Sequence, residues 1–114
     1  MSNVVSFKKP VKEINFKVFG IAVVEGKLEE AAKIMRDMIE CDLSMAEKIT
    51  DHFNQKFKET PNIIMQTMQI RSSIEMGQQN DALMSIQNIF GVTGVEAIKI
   101  LNVMKDQIEK DKNS

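Results

Sequence analysis

One cysteine, Cys41, and one histidine, His52, stand eleven residues apart in the chain. A thiolate beside an imidazole could carry nucleophilic catalysis, but the base needs a third group to orient it. No such constellation is visible in the sequence. Cys41 reads as a small core hydrophobe. His52 follows Asp51 on a helix whose inner face is Ile49 and Phe53, and reads as a partly exposed surface histidine. Glu29, Glu30, Asp37, Glu40 and Asp42 form an acidic run. Their spacing is not that of an EF-hand loop, and no Glu-x-x-His motif occurs, so a solvated helix face accounts for them better than a metal site. Gly91 and Gly94 are followed by neither Lys-Ser nor Lys-Thr, as a phosphate loop would need. The expectation is a chain with no catalytic, metal-binding or cofactor-binding residues, and therefore not an enzyme.

The elements that would have to position any site come from an ordinary composition. A length of 114 residues fits one domain, with 43% hydrophobic and 27% charged residues and a net charge of -1. A single cysteine excludes an internal disulfide framework. Trp and Tyr are absent, so 9 Met and 6 Phe supply much of the bulk. The longest apolar stretch, 18–24, contains Gly20 and is far short of the roughly 20 residues that cross a bilayer. No signal-like segment precedes Lys8 and Lys9, so the expected location is cytoplasmic, with no membrane partner.

Charge is uneven along the chain. Residues 1–20 carry four Lys and one Glu, whereas 21–60 carry six basic and nine acidic residues. The stretch 61–91 has only Arg71, Glu75 and Asp81, and interleaves Met65, Met68, Met76 and Met84 with Gln66, Gln69, Gln78, Gln79 and Gln87. Residues 1–10 read as a flexible tail and 109–114 as a frayed end. Between them helix signals dominate, and 11–111 reads as a single helical domain. Leu28, Ala31, Ala32, Met35, Met38 and Ile39 are spaced for an amphipathic helix over 27–40. Ser44 with Glu47, and Thr93 with Glu96, read as capping boxes. The first precedes Ala46, Ile49, Phe53 and Phe57; the second precedes Ala97, Ile100, Leu101, Met104 and Ile108. Thr60 and Pro61 read as the start of a helix ended by Gly77, and Asn80-Asp81 as the cap of a helix ended by Gly91. In 11–25, Ile14, Phe16 and Val18 alternate as in a strand, while Ile14, Val18, Ile21 and Ala22 fit a helical face. Helix is favoured because no nearby strand could satisfy the backbone.

A shift of 51 residues superimposes apolar positions. Ala31 falls on Ala82, Met35 on Ile86, Ala46 on Ala97, Ile49 on Ile100 and Phe53 on Met104. The two capping boxes disagree, being 49 apart. Residues 11–60 and 61–111 are thus candidate related halves, with chance matching of amphipathic helices as the alternative.

Two resemblances follow from these motifs. Gly26-x4-Ala31-x3-Met35-x2-Met38, and again Gly77-x4-Ala82-x3-Ile86-x2-Ile89, resembles the second half of a tetratricopeptide repeat. In that family the Gly ends one helix and the Ala lets two helices cross closely. The likeness spans about a dozen residues per copy, and the aromatic and Leu-Gly positions of the family's first helix are unmatched. It implies protein or peptide binding rather than catalysis. Residues 86–93, Ile-Gln-Asn-Ile-Phe-Gly-Val-Thr, followed by Ala97 and Ile100, look like the turn of a helix-turn-helix. The helix after that turn starts Gly94-Val95-Glu96, with no side chain suited to base edges and Lys99 as its one early cation.

The expected fold is all-α, with about six helices in antiparallel hairpins. The expected function is a non-catalytic protein–protein interaction module. Helix 61–76 seats Ile63, Thr67, Ile70 and Ile74 on one face. That leaves Ile64, Met65, Met68, Gln69 and Ser72 to bind a partner protein or a second copy in a homodimer, unless the helix is central and buried on both sides. The alternative is a small DNA-binding regulator using 81–104, against which the missing basic patch argues.

Overall fold

The computed structural model describes residues 15–60 and 62–112, and of Ile64 the backbone alone. The tail at 1–10, Ile14 and the opening proline at 61 lie outside the described residues. Six α-helices run in order: α1 (Phe16–Val24), α2 (Leu28–Ile39), α3 (Leu43–Glu59), α4 (Ile63–Glu75), α5 (Gln79–Phe90) and α6 (Gly94–Lys112). No strand occurs among the described residues, and the fold is all-α.

The ambiguous segment is helical because Asn15 starts it. The Asn15 side chain accepts from the Val18 N–H at 2.9 Å, fixing the first turn. Its inner face is Phe19, Ala22 and Val23, with Val18 half-buried against the core; of the expected helical face Ile21 alone among the described residues turns outward, at 47% exposed. Other starts also differ from the sequence reading. Asp42, not Ser44, caps α3 by accepting from the Met45 N–H, and Ser44 lies within the first turn. Thr60 is the C-cap of α3 rather than the N-cap of α4, which starts from Asn62 without a side-chain bond. Gln78, not Asn80 or Asp81, precedes α5. Helix α6 extends past 109 to Lys112, with Lys110 and Lys112 at its electronegative end.

With these boundaries, the offset of 51 recurs in part of the backbone, though α1 and α4 start 47 residues apart and α3 and α6 end 53 apart. Helices α2 and α5 start at 28 and 79 and end at 39 and 90; α3 and α6 start at 43 and 94. Asp42 precedes α3 as Thr93 precedes α6, which removes the apparent two-residue mismatch between caps. Left-handed residues end α2 at Glu40 (φ 55°) and α5 at Gly91 (φ 67°). The turn bonds Lys27 N–H to Ala22 O and Gln78 N–H to Ser73 O are both 2.8 Å long.

Helix α2 packs on α1 and α3, and α5 on α4 and α6. Between the two sets the contacts cross: α3 lies against α5, and α2 against α6. Consecutive α3 and α4 are not a packed hairpin. All six helices feed one apolar core. Phe53 and Phe90 stack at 5.2 Å across the α3–α5 contact, with Phe19 5.2 Å from Phe53 and Phe16 5.6 Å from Phe90. Ring pairs of this kind add roughly 0.5–1.5 kcal/mol each beyond area burial. Polar ties follow the same crossing. His52 Nε2 on α3 lies 3.0 Å from Asn88 O near the end of α5, and Lys99 Nζ on α6 donates to Glu40 O at the end of α2 at 3.5 Å.

Candidate functional site

Helix α4 is peripheral and has one seated face. Ile63 and Ile70 are buried and Thr67 and Ile74 half-buried, as a stripe at helical spacing should be. The Thr67 hydroxyl donates back to Ile63 O at 2.9 Å, so it is already committed. The opposite face carries Met65, 61% exposed, and Met68, 66% exposed, beside exposed Gln69 and Ser72. Four of the five residues expected to meet a partner therefore lie together on one open face. The side chain of Ile64, the fifth, lies outside the described residues.

Met68 also borders an open groove of about 570 Å³ between the start of α1, α4 and the last turns of α6. Its apolar lining is Phe16, Met68, Met104 and Ile108, and its charged groups are Lys17, Arg71, Lys110 and Asp111. Arg71 is engaged by Asp111 at 3.0 Å and by Glu75 at 3.6 Å; exposed pairs like these contribute little stability. The Gln107 side chain accepts from the Phe16 N–H at 3.5 Å, tying α1 to α6. The rest of the lining is polar: Asn15, Thr67 and Gln107. Sequence reasoning could not find this groove, because its walls come from segments about 40 to 90 residues apart.

Exposed apolar residues the sequence reading did not assign to a surface include Val24, Leu43 and Met76 at helix ends, Met84 on α5, and Val95 and Ile98 on α6. Met84 falls off the inward set Leu83, Ile86, Ile89 and Phe90, and that spacing was the available signal. Cys41 and His52 sit in different surroundings. Cys41 is half-buried against the core, where burial first, and then the charge of Asp42, push its thiol up from the ordinary value. His52 instead packs over Gly91. Among the described residues, no group of three or more His, Cys, Asp or Glu side chains could hold a metal ion, and no helix is long and apolar enough to cross a membrane. Comparison with family models, with curated proteins and with solved structures finds no match.

Proposed function

We propose that the protein is a non-catalytic interaction module that binds a partner protein, or its own second copy, through the outward face of α4. The observation that carries this reading is the paired exposure of Met65 and Met68 on a helix already seated by Ile63 and Ile70. Neither methionine is needed to hold α4 in place. Met is unbranched and polarizable, which suits an adaptable contact, and scarcity of charge is typical of an interface core. The groove beside Met68 gives a partner side chain a place to insert. DNA binding has less support: Val95 and Ile98 face outward on the first turns of α6, where phosphate contact would need cations. A cytoplasmic setting fits the lone thiol.

Met68→Asp tests the reading. An exposed site should change stability by only about 0.5 kcal/mol. The expected outcome is an unchanged helical spectrum with a solution mass reduced toward 12.9 kDa, or with partner binding lost. A variant with wild-type assembly and wild-type binding overturns the proposal, and one that unfolds shows that α4 is core rather than surface.

A further inference from the structure

We propose that the chain is two copies of one three-helix unit, 16–59 and 63–112, closed on each other about a pseudo-two-fold axis. We further propose that this interface accepts a second copy of the chain, one of whose halves replaces the covalently attached one.

The backbone carries the first part. Both limits of α2 and α5, the starts of α3 and α6, the ends of α1 and α4, the left-handed caps and the turn bonds recur at the offset of 51, whereas α4 starts four residues early and α6 ends two residues late; the close-packed small residues Ala31 and Ala82, and Ala46 and Ala97, keep the offset and are all 0% exposed. The contacts between halves supply the symmetry. A two-fold operation carries α3 onto α6 and α5 onto α2, so it turns the α3–α5 contact into the α2–α6 contact, and both are present. An open stack of repeats would instead join its units through two different faces, with no return contact. An interface in which each partner presents the same surface to the other is isologous, the form that closes a dimer. The polar ties obey the same rule: each half's third helix reaches the C-terminal carbonyls of the other half's second helix, through His52 at Asn88 O and Lys99 at Glu40 O.

The connection explains why exchange is available. Thr60 ends α3, α4 starts at Ile63, and the two helices do not pack as a pair. The Ile63 N–H donates to Thr60 O at 3.2 Å across the link, so exchange has to open this turn bond but no helix–helix packing between α3 and α4. In an exchanged dimer every contact between halves is kept, and only the chain that supplies it changes. Tethering favours the closed monomer in dilute solution, and exchange gains as concentration approaches the tether's effective concentration, of order millimolar for a short link. This surface is distinct from the α4 face and does not depend on it.

Two full-length variants test the proposal by complementation. Ile49→Asp breaks the first half and Ile100→Asp the second, since both side chains are buried. Unfolded together and refolded by dilution, they should regain helical signal above the average of the two separate chains. They should also melt cooperatively and run at twice 12.9 kDa. Adding Met68→Asp to both should leave that rescue intact. A mixture equal to the average of its parts overturns the proposal, as does a rescue that Met68→Asp abolishes. The wild-type chain gives an independent reading. Refolding at about millimolar concentration should trap a dimer that Met68→Asp does not dissociate, while the Met68→Asp chain refolded at about micromolar should give monomer. Monomer at both concentrations overturns it.

Discussion

Lys17, Lys33, Ser44 and Glu47 in the first three helices stand where Met68, Met84, Val95 and Ile98 stand 51 residues later, and all eight are exposed. The same offset inside the molecule pairs like with like. Phe19 and Ile70, Met35 and Ile86, Ile49 and Ile100, and Phe53 and Met104 are all buried. Packing explains the interior agreement, because a core near crystal density admits little change in volume. It does not explain the exterior difference. The first half accepts charged or small polar residues at the corresponding outward positions, so a fold of this kind does not require the apolar residues of the second half. The reverse exchanges are Ile21 and Val24 against Ser72 and Glu75, which gives α1 a smaller apolar outer face of its own.

The sharpest way to break the comparison is at the left-handed caps. Gly91→Ala forces a side chain into φ 67° and places its Cβ 2.5 Å from His52 Cγ and 2.6 Å from Nδ1. Left-handed backbone costs about 1–2 kcal/mol and overpacking about 1–3, so urea unfolding should show a loss of about 2–5 kcal/mol. The double variant His52→Ala/Gly91→Ala should recover only the overpacking part. Equal losses in the single and double variants would mean that the ring is not what Gly91 accommodates.

Next are the two alanines at the helix crossings. Ala31→Leu and Ala82→Leu each insert a side chain where exposure is 0%, at an expected cost of about 1–3 kcal/mol. The two losses should be alike in chemical denaturation. One severe and one silent substitution would show that the halves do not share a packing scheme.

The remaining cap, Glu40, should respond in the opposite direction. It holds φ 55° with a full side chain where its counterpart is glycine. Glu40→Gly relieves that conformation and should stabilise the protein by about 0.5–1 kcal/mol, because Gly populates the region freely. The Lys99 bond is kept, since it is made to the backbone carbonyl. A fall in melting temperature would place Glu40 in a role that its backbone does not reveal.

Much of this was legible in the sequence where one helix face decides the outcome. All five residues read as the inner face of α6, Ala97, Ile100, Leu101, Met104 and Ile108, are buried. The outward position of Met65 and Met68 follows from the same periodicity once one face is seated. Helix starts were less legible, because several use no side-chain signal: Lys27, Asn62 and Gln78 precede helices without a capping bond. Ser44 misled because Asp42, two residues earlier, already starts the helix by accepting from the Met45 N–H, which leaves Ser44 inside the first turn. The role of His52 was hidden for a different reason. Its partners Asn88 and Gly91 lie on another helix, and pattern reading along the chain cannot see a contact that only the α3–α5 packing creates.

The smallest expected effect is at Cys41, whose counterpart 51 residues on is Val92. Val92 is buried and Cys41 half-buried, both just past a left-handed cap. Cys41→Val should therefore be nearly neutral, within about 0.5 kcal/mol, whereas Cys41→Ser sets a hydroxyl against the core and should cost about 1 kcal/mol. Binding should survive both, since no chemistry is assigned to the thiol. The pH dependence has a definite sign. Burial, and then Asp42, raise the thiol's pKa in the folded state, so the folded chain holds that proton more tightly than the unfolded chain. That contribution is fully present below the ordinary thiol range and is lost as pH rises through it to the folded pKa. Wild type should therefore lose stability with rising alkaline pH more steeply than Cys41→Val. Alkylation by iodoacetamide at mildly alkaline pH should also be slower in the folded protein than in urea. Equal rates in the two states would show that the half-buried thiol behaves as a free one, and parallel alkaline stability curves would remove the pH linkage.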